Sequence, residues 1–226
     1  NLAELGVYNT NYKLSIIMTL IIQGFRMGAE PYFFKESSKK GAKATYAIIM
    51  DFFVVACCCI LVIGSVNREL LSMINHHSFK EGIKILPYLI LANLFLGMYY
   101  NSSVWYKLTD NTMKGAWISI IGAAITVIFN WVLIPILGYE GSAIATLICY
   151  FSMLIISFVW GQRIYPVPYQ FGRMFLWITC SVIYSTLAFH YFQSNTFLLL
   201  ALSLLFLIFG LVYLYKQFSK IKLGDA

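Results

Sequence analysis

Long apolar segments alternate with short polar links along almost the whole chain. Seven apolar segments cover residues 7–30, 44–64, 86–106, 116–137, 141–161, 171–191 and 197–215. At about 1.5 Å per residue, a helix of such length crosses the roughly 30 Å of hydrocarbon in a bilayer. Because backbone polar groups in lipid must be paired within their own segment, the segments are predicted to be helices. We therefore predict an all-α fold, a polytopic transmembrane bundle of seven helices.

The basic residues of the links are distributed unequally between the two sides of such a bundle. The first, third and fifth links and the C-terminal tail hold eleven lysines and arginines, whereas the second, fourth and sixth links hold three. Lysine and arginine in short links mark the cytoplasmic side of a membrane protein. The pattern predicts an N-terminus outside and a C-terminus on the cytoplasmic side.

Composition agrees with a membrane protein and argues against several other classes. The chain is 60% hydrophobic and 11% charged, against roughly 45–50% and 25% in soluble domains. Its formal net charge of +7 is spread over the links, which favours orientation in an anionic leaflet over nucleic-acid binding. The five cysteines form no C-x-x-C pair, and His76–His77 has no partner at metal-binding spacing. No metal, cofactor or nucleic acid is predicted.

The first segment differs from the others because one of its faces is polar. Steps of three and four residues connect Tyr8, Tyr12, Ser15, Thr19, Gln23, Arg26 and Glu30. At about 100° per residue these side chains fall within an arc of about 80°. A continuous polar line within a bilayer must face a bundle interior or a water-filled cavity, because lipid cannot solvate it. We call this line the polar stripe.

Two explanations remain open for the charged residues of this segment. Arg26 and Glu30 are four residues apart, so they can pair on the helix surface at membrane depth. Alternatively, the pair is interfacial and reaches cytoplasmic water. Lys13 lies off the stripe near the outer end, where reaching the outer interface would explain it.

Asp51 is the acid that lies deepest in any segment. Its charged form is costly near mid-membrane unless it is paired. It is therefore a protonated acid, a site for an ion or proton, a partner for Arg26, or a residue hydrogen-bonded to a neighbouring helix. Asparagines such as Asn93 more often bridge helices than bind substrate. The last two segments are almost wholly apolar in the middle and are expected to be peripheral.

Several ordered motifs resemble polysaccharide flippases of the multidrug/oligosaccharidyl-lipid/polysaccharide exporter superfamily. The link after the fourth segment, residues 130–146, is NWVLIPILGYEGSAIAT, which is similar to the family turn N-x-x-L-I-P-x-x-G-x-x-G-[AS]-A-x-A-T. The first segment, with GVY, YKL and FRMGAEP, looks like the first helix after the midpoint of such proteins. Asp110-x-x-x-Lys114-Gly115 fits as well. The resemblance covers essentially the whole chain.

The resemblance implies a transporter rather than an enzyme. It assigns residues 1–226 to helices eight to fourteen, the C-terminal half of a two-lobe exporter whose N-terminal half would be absent. Such proteins move an undecaprenyl-diphosphate-linked oligosaccharide across the bacterial inner membrane by alternating access, commonly coupled to Na⁺ or H⁺. Residue chemistry then suggests candidates for substrate binding, which are Arg26, Gln23, Thr19, Tyr12, Tyr8 and Lys13. The candidates for ion coupling are Asp51 and Glu30. Lipid-linked oligosaccharide, membrane lipids and the N-terminal half are the expected partners.

Other classes of membrane protein fit the sequence less well. A retinal protein needs a lysine in the middle of its last helix, and residues 197–215 contain none. The receptor motifs D-R-Y and N-P-x-x-Y are also absent from the sequence. A membrane glycan enzyme such as an O-antigen ligase would need a larger outer loop rich in His, Arg or Asp. A multidrug cation antiporter of the same superfamily remains an alternative, although its site should be less cationic.

Overall fold

The computed structural model describes the backbone of residues 2–66, 85–190 and 196–224. Within these ranges it describes the side chains of residues 16, 18–64, 85–188 and 199–217. This part of the chain is helical and contains no strand. The helices are α1 (Leu2–Glu36), α2 (Ala42–Val66), α3 (Leu86–Ser102), α4 (Val104–Leu108), α5 (Thr112–Leu137), α6 (Tyr139–Ile164), α7 (Phe171–His190) and α8 (Thr196–Gly224).

The predicted membrane character is confirmed. Five stretches of the described residues are long and apolar enough to cross a membrane: Ala42–Gly64, Thr112–Leu137, Tyr139–Ile164, Phe171–Ala188 and Leu199–Gln217. The other two predicted segments correspond to α1, which carries the polar stripe, and to α3, whose 17 residues rise about 25 Å. The chain is thus an all-α, membrane-embedded protein.

The helices are divided between two compact units. The first unit holds α1 and α3 to α6, and the second holds α2, from Lys43 onward, with α7 and α8. In the first unit α6 packs against both α3 and α5, while α3 also packs against α1. Each unit contains one of the two polar clusters described below.

Helix α1 is longer than the sequence pattern predicts. The predicted segment stops at residue 30, just before Pro31, yet the helix continues through Pro31 to Glu36. Proline removes one backbone hydrogen bond and clashes with the carbonyl four residues earlier, but its fixed φ is compatible with a helix. The prediction of an end at residue 30 was therefore wrong. Helix α8 likewise continues past the predicted residue 215 to Gly224.

The predicted third segment is divided between α3 and α4 at Ser103. The hydroxyl of Ser102 donates to the carbonyl of Tyr99 at 2.9 Å, and that of Ser103 donates to the carbonyl of Tyr100 at 2.6 Å. The backbone N–H of Ser103 donates to the Tyr99 carbonyl at 2.8 Å. Serine hydroxyls that bond to their own helix offer the backbone an alternative to regular helical pairing. The backbone bond of Ser103 is nevertheless the regular helical one to the residue four positions earlier, and Ser103 keeps helical angles of φ −65° and ψ −13°, so the interruption is slight.

Glycines make the tight connection between α5 and α6 possible. Gly138 joins the two helices with φ +58°, a conformation that favours glycine. At Gly141, a Cβ atom would lie 2.5 Å from the Leu133 carbonyl oxygen. The G-x-x-G part of the family-like turn is therefore explained by the geometry of this helical hairpin.

Small residues also allow α5 and α6 to approach along their length. A Cβ atom at Gly122 would lie 2.6 Å from the Met153 sulfur, and the Cys149 thiol donates to the Gly122 carbonyl at 3.2 Å. The neighbouring Ala123 and Ala124 are exposed. The rest of α5 presents large apolar side chains such as Trp131, 82% exposed, which suits contact with lipid.

In the second unit, an aromatic cluster packs α7 against α8. The Trp177 ring lies 5.3 Å from that of Phe206 and 5.5 Å from that of Phe209. A Cβ atom at Gly210 would lie 2.8 Å from the Cys59 sulfur of α2, so α8 approaches α2 closely. These contacts hold the three helices that supply the Asp51 cluster.

Candidate functional site

Arg26 and Glu30 form the predicted ion pair on α1. The Arg26 Nε atom lies 3.2 Å from the Glu30 Oε2 atom. Residues four apart on a helix share one face, so this contact needs no help from other elements. The prediction that these residues pair is confirmed.

Lys107 on α4 binds the other oxygen of the same carboxylate. Its Nζ atom donates to Glu30 Oε1. The sequence pattern placed Lys107 in a cytoplasmic link and did not identify it as part of a site. No local spacing in the sequence connects Lys107 with Glu30, which lies 77 residues earlier.

The Tyr100 ring supports the Arg26 guanidinium. The Arg26 Cζ atom lies 4.6 Å from the ring centroid, within the range of a cation–π contact. We call Arg26, Glu30, Tyr100 and Lys107 the cation cluster. Its two cations and one carboxylate leave one net positive charge.

Much of the hydrogen-bonding capacity of the cation cluster is unused. Arg26 uses Nε for Glu30, and its two terminal nitrogens make no hydrogen bond within the described residues. The Arg26 side chain is 38% exposed and that of Lys107 23% exposed. The arginine is thus held at Nε and on its ring face, while the nitrogens that bind phosphate or carboxylate best remain open.

Further along the polar stripe, Thr19 contacts α3. Its hydroxyl lies 3.2 Å from the Asn93 Oδ1 atom, and the Asn93 amide donates to the Leu89 carbonyl at 3.0 Å. Asn93 is buried and bridges two helices, as expected for an intramembrane asparagine. Gln23 is half-buried, and no hydrogen bond involves its amide in the described part of the chain.

The remaining substrate-binding candidates belong to the first half of α1. Tyr8, Tyr12 and Lys13 lie in this helix, but their side chains are outside the described residues. Their roles stay predictions.

Asp51 lies in a second polar group, which we call the Asp51 cluster and which also contains Arg173, Tyr213 and Gln217. Arg173 Nη1 lies 3.3 Å from Asp51 Oδ2 and 2.8 Å from the Tyr213 hydroxyl oxygen. The Tyr213 hydroxyl donates to Asp51 Oδ2 and accepts from the Gln217 amide at 2.8 Å.

One oxygen of the Asp51 carboxylate makes no hydrogen bond within the described residues. Asp51 is 4% exposed, and its Oδ1 atom has no hydrogen-bond partner among the described residues. An unpaired buried carboxylate oxygen is costly, and such atoms often mark functional positions. This atom could accept a proton or help to bind a small cation.

The Asp51 cluster answers the question of which cation pairs with Asp51 and corrects one expectation from the sequence. The cation that pairs with Asp51 is Arg173, in the first turn of α7, rather than Arg26. The last two helices were expected to be peripheral, yet α7 and α8 provide the hydrogen-bond partners of Asp51. Tyr213 and Gln217 are four residues apart, a spacing that would have indicated a shared polar face.

Comparisons with known proteins leave the resemblance to rest on the sequence motifs alone. No family model, curated protein or solved structure matches this chain.

Proposed function

We propose that this protein moves an undecaprenyl-diphosphate-linked oligosaccharide from the inner to the outer leaflet of a bacterial inner membrane. The motifs that resemble polysaccharide flippases suggest the substrate, and the membrane-spanning helices suit it. The observation that carries the proposal is that the two terminal nitrogens of the Arg26 guanidinium make no hydrogen bond within the described residues and that the Lys107 ammonium binds the same Glu30 carboxylate as Arg26.

A lipid diphosphate matches the chemistry of this cluster. The Arg26 terminal nitrogens can bind two phosphate oxygens in parallel, a geometry specific to the planar guanidinium. Lys107 supplies a second, compact charge that suits the neighbouring phosphate. A monophosphate offers fewer oxygens and less charge, so it should not engage both cations equally well.

The position of the cation cluster suits substrate loading at the inner leaflet. Arg26 and Glu30 lie toward the end of α1, and Lys107 lies in the last turn of α4. The orientation predicted from the basic links places both ends at the cytoplasmic side. The polar stripe continues from Arg26 through Gln23 and Thr19 toward Tyr12 and Tyr8, and would provide hydrogen-bonding groups for sugars on the way outward.

Asp51 is the coupling residue in this proposal. Its free Oδ1 atom is a place where a proton or Na⁺ could interact with the transport cycle. Coupling requires only that the occupied and empty forms of Asp51 favour different states of the transporter. Glu30 was the second coupling candidate, but both of its oxygens already contact cations.

Charge disfavours the alternative of a multidrug cation antiporter. The cation cluster carries one net positive charge and exposes arginine donors, so it repels organic cations. A membrane glycan enzyme would need a nucleophile or a general base in a substrate pocket. The described residues supply neither in the cation cluster, because its single carboxylate is engaged by Arg26 and Lys107.

A binding experiment on the 226-residue chain in lipid nanodiscs tests the proposal. We expect undecaprenyl diphosphate to bind about tenfold or more tightly than undecaprenyl monophosphate, because loss of one charge-assisted contact costs at least about 1.5 kcal/mol. Inorganic pyrophosphate should compete, and a nucleoside diphosphate serves as a further competitor to show whether the lipid contributes to recognition. Equal binding of the two lipids, or preferential binding of tetraphenylphosphonium, would contradict the proposal.

A further inference from the structure

We propose that Glu30 is an exchangeable counter-anion that neutralises Arg26 and Lys107 in the empty site and moves away from them when the diphosphate binds. This inference rests on the proposed function, because it concerns regulation of the same cluster. It assigns Glu30 a role in controlling affinity and release, rather than in ion coupling.

The geometry of the Glu30 carboxylate resembles that of a bound phosphate. Oε2 contacts Arg26 Nε, at 3.2 Å, and Oε1 contacts Lys107 Nζ. One anionic group thus bridges two cations that come from different helices, α1 and α4. A diphosphate would bridge the same two cations, with one phosphate on the Arg26 terminal nitrogens and the other on the Lys107 Nζ atom.

Nothing else in the described residues fixes the Glu30 side chain in place. Its oxygens bond only to Arg26 and Lys107, and the side chain is 28% exposed. Glutamate has several rotatable bonds, so the carboxylate can swing away without any movement of α1. A carboxylate with a purely structural role would be expected to have further donors that hold it.

Glu30 and a bound diphosphate cannot both remain close to the two cations. Like charges a few ångströms apart repel each other, most strongly where water is scarce. Substrate binding must therefore displace Glu30, which lowers the net affinity. The same carboxylate can later return to the cations and assist release of the diphosphate, so a site that binds a highly charged group does not retain it.

The test compares the parent chain with Glu30→Gln, Glu30→Ala and a control variant, Glu36→Gln. Glu36 lies on the same helix and also pairs with a lysine, Lys39, at 2.8 Å. The control therefore changes the net charge equally while leaving the cation cluster intact. Glu30→Ala removes the carboxylate without adding an amide that could itself bond to phosphate. Circular dichroism establishes that each variant keeps the parent helix content.

We expect both Glu30 variants to bind undecaprenyl diphosphate in nanodiscs about tenfold more tightly than the parent, since a competing charge-assisted interaction is lost. The gain should appear as slower dissociation, and Glu36→Gln should bind like the parent. If the parent binds undecaprenyl diphosphate and the folded Glu30 variants bind it equally tightly or more weakly, the exchange is overturned and the proposed function stands. Absence of binding in the parent and in every variant would overturn both, whereas binding that appears only in the Glu30 variants would support the exchange.

Discussion

Replacement of Arg26 by lysine separates phosphate recognition from anchoring at the membrane interface. Lysine keeps the positive charge and can still reach Glu30 or interfacial water. It loses the planar fork and the stacking on Tyr100, where the Arg26 Cζ atom now lies 4.6 Å from the ring centroid. We therefore expect Arg26→Lys to lose most of its affinity for undecaprenyl diphosphate.

The size of the loss follows from the contacts of Arg26. Loss of a cation–π contact at a partly exposed site costs about 0.5–1 kcal/mol. The lysine ammonium lacks the planar pair of donors of the guanidinium and so loses at least one charge-assisted hydrogen bond, worth about 1.5–3 kcal/mol. Arg26 is 38% exposed, so solvent screening favours the lower ends of these ranges. The expected loss of binding free energy is about 2 kcal/mol, which corresponds to a dissociation constant about thirtyfold larger.

The assay measures the dissociation constant for undecaprenyl diphosphate in nanodiscs for the parent, Arg26→Lys and Arg26→Ala. Arg163→Lys is the matched control, because Arg163 is exposed in the last turn of α6. Both Arg26 variants should bind weakly, and the control should match the parent. Binding by Arg26→Lys at the parent affinity would refute the reasoning, since an interfacial anchor tolerates lysine whereas a phosphate fork does not.

Two other predictions address the Asp51 cluster and the α5–α6 hairpin. Asp51→Asn should bind undecaprenyl diphosphate as the parent does, while transport in energised vesicles that hold residues 1–226 together with the expected N-terminal half becomes less sensitive to an imposed proton or Na⁺ gradient. An unaltered gradient response would make Asp51 structural. Gly141→Ala should lower the thermal unfolding midpoint in detergent, because its Cβ would lie 2.5 Å from the Leu133 carbonyl oxygen and such overpacking costs about 1–3 kcal/mol. Gly28→Ala is the control, since no atom lies within 4 Å of its added Cβ, and an equal loss in both variants would contradict the steric explanation.

The amino-acid sequence by itself determined the features that depend on local spacing and on the cost of dehydrating polar groups. Apolar length predicted the membrane helices, because unpaired backbone groups are excluded from lipid. The four-residue spacing predicted the Arg26–Glu30 pair, because such residues share one helix face. The G-x-x-G spacing after Pro135 marked the α5–α6 turn, where Gly138 adopts positive φ and Gly141 faces a backbone carbonyl.

Only the tertiary structure decided which polar residues from different helices meet. Lys107 reaches Glu30 across 77 residues of sequence, and Tyr213 reaches Asp51 across 162. Asp51 has only apolar residues three and four positions away on its helix, namely Ala47, Ile48, Val54 and Val55. With no local partner, its hydrogen bonds depend on how α7 and α8 are rotated against α2. Helical periodicity specifies which residues share a face, but the packing of large side chains such as Trp177 decides which faces are brought together.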